Sequence, residues 1–446
     1  MTLEELQKII RDAGIVGAGG AGFPTDKKLA KGIKQIVINA AECEPLMMVD
    51  HHIFKKHLQA IIDTMNIMLD ALGADEAIMG IKGKNMHLLD KNIVKSLKGS
   101  RIKIHEIPDV YPAGDEVVLV YETTGKIIPE GAIPIMVGVM VINTETLYNI
   151  KKAIFDKEPV IDKYITIAGD TKEDITVKVP VGMKISELFE AVGYPDLEGK
   201  AIINGGPMMG KLVDIENDVV TKTTKGLLVF PENHKVIQRK KAPLSMTLKR
   251  AAAACCNCTM CTDICPRYLL GHSIQVHKVL HVATHSNLNA SESFLKSTLC
   301  CGCGVCTVMG CQQMIDPQRI AMEAKAALAK AGYRREDGIA PEKPRRERDG
   351  RLVPSEKLID RLGIRSFVKD KVERRYMDFS PECVYIALSQ HVGKPADSLV
   401  KAGDKVKRGD MIAKTEDGAL GTTMHASIDG VVKSVDSRYI VIENRA

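Results

Sequence analysis

Apolar residues recur at helical spacing from the start of the chain. Leu3, Leu6, Ile9 and Ile10 in LEELQKIIRDAG predict an amphipathic helix ahead of the first glycines. A β-branched run, Ile36–Val37–Ile38, predicts a short buried strand that ends near Asn39. Further on, EVVLVYETTG reads as helix and IPIMVGVMVIN as a buried strand, so an α/β sheet is expected. From residue 160, DKYITIAGDTKEDITVKVP alternates as strands do, and ISELFEAVG reads as a helix that Gly193 terminates. Gly205, Gly206 and Pro207 mark a tight turn. GHSIQVHKVLHVAT and MEAKAALAKAG return to helical character, the second ending at Gly332. The last segment alternates short strands with Gly-Asp turns. The fold class expected is therefore an α/β multidomain protein.

With 446 residues, one core is too few, and three or four domains are expected. A hydrophobic fraction of 45% and a charged fraction of 26% fit a soluble globular protein. No apolar run approaches the ~18 residues of a membrane span. The chain opens directly on its amphipathic helix, so a cytoplasmic location is expected. The formal charge of +6 is modest, and the one dense basic run, KPRRERDGR at Lys343–Arg351, is mixed in sign and reads as a solvated linker. With no Trp and 4% aromatic residues there is no base-stacking platform, so nucleic-acid binding is not expected.

Ten of the twelve cysteines lie between Cys255 and Cys311, which argues for metal or cluster binding rather than disulfides. CCNCTMCTDICP gives C-x2-C-x2-C-x3-C-P through Cys255, Cys258, Cys261 and Cys265, the run of bacterial 4Fe–4S proteins. CCGCGVCTVMGC gives C-x2-C-x2-C-x4-C through Cys300, Cys303, Cys306 and Cys311, a repeat offset by 45 residues. Crossed ligation then assigns Cys255, Cys258 and Cys261 with Cys311 to one cluster, and Cys300, Cys303 and Cys306 with Cys265 to the other. Two 4Fe–4S clusters are thus expected in a helical ferredoxin domain. The second group departs by one extra residue and by Gln312 in place of Pro, and Cys256 and Cys301 are extras that allow a slip of register. Structural zinc is the alternative, but its sites pair one C-x2-C with a distant second. His272, His277, His281 and His285 are expected on a solvated helix face.

GIVGAGGAGFPTDKKL holds G-x-G-x-x-G at Gly17, Gly19 and Gly22, yet a helix precedes it where the dinucleotide fingerprint demands a strand. GAGGAGFPTDKK resembles instead the glycine loop of the flavin- and NADH-binding subunit of respiratory complex I. NAAECEP, YPAGDE and NTETL resemble three further motifs of that subunit, in the same order, over about 130 residues. Ala41 stands where that pattern has Asp, and Asp115 where it has Glu. CPRYLLGH and GGPMMG resemble segments of RnfC-type electron-transfer subunits and of the cobalamin reductases of propanediol-utilisation microcompartments.

The resemblance implies a Rossmann-like domain in which Gly17, Gly19 and Lys28 cradle FMN. Glycines let backbone N–H groups approach a phosphate, and a lysine adds charge. Asn39, Glu42, Tyr111, Gly114 and Asn143 would line the flavin; Glu44, Asp115 and Glu116 would lie near NADH, and Phe23 would stack on a base. No catalytic acid or base is required. Cys43 is expected as a packed or flavin-adjacent thiol and Cys383 as structural.

The domains expected are 1–155 for FMN and NADH, 160–235 for a β-grasp module of the SLBB type, 245–330 for the clusters, 331–377 as a connector, and 378–446 as a lipoyl- or biotinyl-like barrel-sandwich hybrid. In the last, EDGALGTTMHAS carries no lysine, so neither biotin nor lipoate is expected on it. The resemblance further implies NADH oxidation with single electrons passed to a corrinoid or a protein acceptor. It also implies a homo-oligomer, a corrinoid adenosyltransferase as partner and a microcompartment shell as surroundings. The rival readings are an RnfC-like subunit reducing ferredoxin, another protein or a quinone, and a non-enzymatic microcompartment scaffold.

Overall fold

The computed structural model describes residues 1–285, 291–335, 338, 340–369, 372–375 and 377–444. The first helix, α1 (Leu3–Asp12), starts on a capping box in which Thr2 and Glu5 satisfy each other's backbone N–H groups. Its buried Leu6 and Ile10 contribute roughly 1.5–3 kcal/mol each. After the glycine loop come β1 (Gln35–Ala40), α2 (Val49–Leu72), β2 (Glu76–Lys82), α3 (Lys91–Ser96), β3 (Ile102–Ile107), β4 (Val110–Tyr111), α4 (Glu116–Thr124), β5 (Val139–Asn143) and α5 (Thr144–Lys151). β3, β2, β1 and β5 form an all-parallel sheet in that order.

β1 is covered on both faces, as a central parallel strand requires. Ile36, Ile38 and Ala40 pack with α1, α2 and α5 on one side, and Val37 packs with α4 on the other. IPIMVGVMVIN is strand only from Val139. Its first part is a 3₁₀ turn, Pro134–Val137, with Ile133 and Met136 exposed. Pro134 starts that turn, and Gly138 ends it with φ at 72°.

The middle of the chain forms β6 (Asp162–Gly169), β7 (Asp174–Pro180), α6 (Ile185–Ala191), β8 (Lys200–Asn204), β9 (Lys211–Leu212) and β10 (Gly226–Pro231). β6 and β10 run parallel at the centre of a mixed sheet. Buried ion pairs join this sheet to the first domain: Lys163 to Glu145 at 2.7 Å, Lys225 to Asp50 at 2.9 Å and Lys152 to Asp162 at 2.9 Å.

α7 (Lys235–Lys241) and α8 (Leu244–Ala254) lead into the cysteine region, which holds α9 (Met260–Asp263), α10 (Pro266–Leu269), α11 (Val276–His285), α12 (Ser291–Leu295) and α13 (Pro317–Lys330). The histidines do not share a solvated face. α11 begins only at Val276, and His272 is buried ahead of it with Nε2 2.9 Å from the Ile128 carbonyl oxygen. His277 contacts Thr262 Oγ1 at 2.8 Å.

The basic run is not a solvated linker either. Arg345 lies 3.8 Å over the Tyr268 ring, Arg348 is buried against Glu122 and Tyr121, and Arg351 reaches Met260. The segment continues as a strap. α14 (Arg348–Arg351) leads to β11 (Val353–Pro354), which pairs with β4, then α15 (Ser355–Leu362), then β12 (Val372–Arg374), which pairs with β7.

The C-terminal residues form two small sheets, β13-β19-β18-β15 and β14-β16-β17. Here β13 is Cys383–Ala387, β14 Asp397–Ser398, β15 Lys405–Val406, β16 Met411–Lys414, β17 Met424–His425, β18 Gly430–Val435 and β19 Tyr439–Glu443. This unit clamps the glycine loop from behind. The Val392 N–H donates to the Gly22 carbonyl at 3.2 Å, and Thr423 Oγ1 donates to that of Arg11 at 2.9 Å.

Lys222 sits at the junction, fully buried, and donates to the carbonyls of Gly14 and Thr423, each at 2.7 Å. Burial lowers its pKa to about 7. His425 beside it is lowered to about 3, by burial first and then by this lysine. Between pH 7 and about 10.4 the unfolded chain holds the lysine proton that the folded chain has lost, so this group makes stability rise with pH. In thermal melts at pH 7 and pH 9, the wild type should gain on Lys222→Met as the pH is raised. Parallel shifts of both proteins would refute this reading of the junction.

Candidate functional site

The C-terminal ends of β1 and β5 present Asn39 and Asn143, and the glycine loop folds over this edge, where ligands of parallel sheets sit. Val16 bridges to Pro24, the Gly17 N–H donates to the Phe23 carbonyl at 2.9 Å, and the Ala18 N–H donates to Thr146 Oγ1 at 3.0 Å. These bonds leave Gly19, Gly20 and Ala21 at an exposed tip. A Cβ on Gly19 would stand 2.9 Å from Asn143 Nδ2, whereas one on Gly20 would meet nothing. The loop thus has one tight and one open side, a cradle whose backbone N–H groups can face an anion.

Asn143 caps α5 by accepting from the Glu145 N–H at 3.0 Å. Asn39 Nδ2 donates to the Gly114 carbonyl at 2.8 Å. Lys28 is half-buried, and burial lowers its pKa against the opposing pull of the exposed Glu116. Gly19 is thus set beside Asn143, Lys28 beside Glu116 and Asn39 beside Gly114, while Gly17 is tied to Phe23. Phe23 is half-buried where the loop returns. Cys43 Sγ stands close to Gly114, where an added Cβ would lie 3.1 Å from it, and burial pushes its thiol up to about 11.

Four of the acidic and aromatic residues face other partners. Glu42, at φ 33°, accepts from the N–H groups of Asp50 at 3.0 Å and His51 at 3.3 Å at the start of α2. Burial, then Asp50, raises its pKa to about 7. Glu44 accepts from the N–H groups of Met208 and Met209, each at 3.0 Å. A Cβ at Gly206 would stand 2.1 Å from its carboxylate, so GGPMMG is glycine-rich because it wraps Glu44. Tyr111 is buried, and its hydroxyl lies 2.8 Å from the Cys303 carbonyl and 3.2 Å from Glu44. Asp115 caps α4 and pairs with the buried Arg267 at 2.9 Å. Sequence reasoning missed Arg267 and the Glu44 cradle. The signals present were an arginine directly after Cys265–Pro266 and two adjacent glycines.

The two cysteine groups are built alike. Cys258 lies between Asn257 at φ 54° and Thr259 at φ 63°, and Cys303 between Gly302 at φ 71° and Gly304 at φ 79°. Left-handed backbone on both sides curls each loop so that its thiols turn inward. The extra residue of the second group is absorbed by a π-helical turn at Cys306–Gly310. Gly310 there lets the two halves meet, since a Cβ on it would stand 3.1 Å from Cys261 Cα.

Cys255, Cys258, Cys261 and Cys311 line one open pocket, together with Cys256 and His277. Burial pushes the Cys261 thiol up to about 12, and Cys311, Cys255 and Cys258 add to the shift. Burial also pushes Cys265 up to about 12, with Cys301 and Cys300 as the neighbouring thiols. Cys306 rises through burial and through Cys300 and Cys265. The structure thus brings Cys255, Cys256, Cys258, Cys261 and Cys311 to one pocket, and sets Cys265 near Cys300 and Cys301. Cys301 lies near Cys303, Arg267 and Asp115. Among the described residues no three His, Cys, Asp or Glu converge on the reach of a single ion. Four thiolates around an iron–sulfur cube stand farther apart than four around one zinc at ~2.3 Å. The all-thiol donor set fits iron–sulfur chemistry.

Residues 10–152 match the Nuo51 FMN-binding domain, 254–316 a 4Fe–4S dicluster domain, and 374–446 the RnfC barrel sandwich hybrid domain. The chain is 36% identical over 444 residues to the cobalamin reductase PduS of Citrobacter freundii, covering 99% of this chain and 97% of that one. The chain belongs to the PduS family. The Salmonella typhimurium PduS matches equally, at 36% identity over 444 residues with the same coverage. A subunit of the Na(+)-translocating ferredoxin:NAD(+) oxidoreductase complex of Acetobacterium woodii is 28% identical, over 65% of this chain and 62% of that one.

Family membership and the flavin and dicluster domains make this chain an electron-transferring oxidoreductase of the iron–sulfur flavoprotein type. Among the described residues no helix is long and apolar enough to cross a membrane.

Within this PduS-family fold, Gly19→Val should wedge the loop off Asn143 and lower the flavin content roughly tenfold, about 1.4 kcal/mol of binding. Flavin released by acid and read by fluorescence checks this, and full retention would count against the cradle. Cys258→Ser should remove about half of the iron, and Cys256→Ser none, by iron assay after anaerobic reconstitution. The opposite pattern would shift the ligand register by one.

Proposed function

We propose that the protein oxidises NADH and delivers single electrons to a corrinoid. The observation that carries this reading is one line of contact from the glycine-loop edge to the cysteine region: Asn39 to Gly114, Asp115 to Arg267, and Tyr111 to the Cys303 carbonyl. When bound, FMN would accept a hydride and two 4Fe–4S clusters would move electrons one at a time.

Gly17, Gly19 and Lys28 hold the FMN phosphate in this reading, with Asn39, Gly114 and Asn143 along the isoalloxazine side. Glu116 and Phe23 remain free to meet NADH. Glu42, Glu44, Tyr111 and Asp115 hold the surrounding elements in place. Cys255, Cys258, Cys261 and Cys311 hold one cluster, and Cys265, Cys300, Cys303 and Cys306 the other. The domain bounds are 1–155, 160–235, 245–330, 331–377 and 378–446, with a β-grasp module second and the strap fourth. The PduS relatives are named for cobalamin reduction, which supports a corrinoid acceptor; a place within a microcompartment is part of the same proposal.

Anaerobic addition of NADH to the reconstituted protein should bleach the flavin band and then the broad cluster absorbance, and cob(II)alamin should reoxidise both. Reoxidation by ferredoxin alone would move the protein to the ferredoxin-linked side of its relatives. Absence of any bleaching by NADH would overturn the nicotinamide part of the reading.

A further inference from the structure

The two thiol groups differ in their surroundings. Cys265, Cys303 and Cys306 are buried, and their group is reached from the flavin-type domain by Tyr111 and by Arg267. The other group opens outward, with Cys256 and Cys258 exposed. Electron transfer falls steeply with distance, so the buried group is the entry and the open group the exit.

The surface around the open group has a definite chemistry. On α8 the chain carries Lys249 and Arg250 and no acidic residue. Lys249 and Arg250 are exposed on α8, next to exposed Met246. Arg250 donates to the carbonyl of Met314 at 3.2 Å, which joins α8 to the loop after Cys311 in one patch. Met314 is 75% exposed at φ 55°, an apolar side chain held outward beside the open cavity. The nearby carboxylates are occupied: Asp263 accepts from Thr259 Oγ1 at 3.1 Å, and Asp316 caps α13 and accepts from Thr307 Oγ1 at 2.6 Å.

We propose that electrons leave from the Cys255/258/261/311 group onto an acidic protein that docks on the Met246, Lys249, Arg250 and Met314 patch and carries a one-electron acceptor. This rests on the iron–sulfur reading above and adds the order of transfer and the kind of partner. Each transfer oxidises the outer centre by one electron and reduces the partner's acceptor by one. Two transfers account for one hydride from NADH, whose oxidation supplies the pair. A cationic rim steers an acidic partner, and the exposed methionines give it an adaptable apolar contact.

The test uses the reconstituted full chain and an acidic two-cluster ferredoxin as the binding probe, by calorimetry at low and at physiological salt. Lys249→Glu/Arg250→Glu should bind roughly tenfold more weakly than wild type, and wild-type binding should weaken as salt screens the rim. Lys172→Glu, on the exposed β6–β7 turn, should bind as wild type does. NADH-driven bleaching of the protein's own absorbance should be equal in all variants. Equal affinity of the double variant and wild type, or salt-independent binding, overturns the proposal. If the double variant loses its visible absorbance, Lys249→Glu alone decides, with roughly a threefold loss of affinity expected and no loss overturning the patch. Failure of NADH to bleach wild type would sink the nicotinamide reading and leave the binding measurement to judge this one.

Discussion

A buried guanidinium sets the terms for this structure. Arg267 sits directly after the Cys265–Pro266 corner, where burial works against its charge. Asp115 answers it at 2.9 Å, and the charge is retained. Removing either partner of such a pair typically costs about 3–5 kcal/mol, because the other charge is left buried and alone. Asp115 also caps α4 at the edge where Gly114 meets Asn39, so the pair fixes the flavin-type domain to the cysteine region. Tyr111 and Glu44 make a second tie beside it, reaching Cys303 and the GGPMMG loop.

The remaining domains hold this joint closed. The strap that follows the cysteine region looked like a charged linker because its arginines crowd together with Glu and Asp. Its charges are instead spent on Tyr268, Tyr121, Glu122 and Met260, and β11 extends β4 right beside Tyr111. The C-terminal unit matches the RnfC barrel sandwich hybrid domain. Its contacts at Gly22, Arg11 and Lys222 show what it does here: it backs the glycine loop, so the tip of that loop can be open while its base is fixed.

The two cysteine loops show how a repeat tolerates an insertion. Each has its middle cysteine between two left-handed residues, supplied by Asn257 and Thr259 in the first loop and by Gly302 and Gly304 in the second. The added residue of the second loop becomes a π turn instead of a break, and Gly310 supplies the clearance. Cys256 and Cys301 occupy equivalent places in the two loops. Cys256 is exposed, whereas Cys301 is drawn to Cys303 and Arg267.

Local chemistry was readable along the chain. The thiol spacing marked two cysteine groups of cluster-binding type, since a cluster loop is closed by residues two apart. The helix–glycine–strand order marked the first domain, and the periodicity of LEELQKIIRDAG and ISELFEAVG placed their helices, because one buried face per turn leaves a pattern. What the sequence could not decide was the partner of each charged side chain. Glu44, Asp115 and the Lys343–Arg351 arginines look solvent-bound in isolation, and His272 looks like one of a helical row. Glu44, Asp115, Arg345, Arg348, Arg351 and His272 are placed by residues 70 or more positions away, such as Met208, Arg267, Tyr121 and Ile128. Electrostatic pairing depends on distance in space and leaves no period in the chain, so only the tertiary structure decided it.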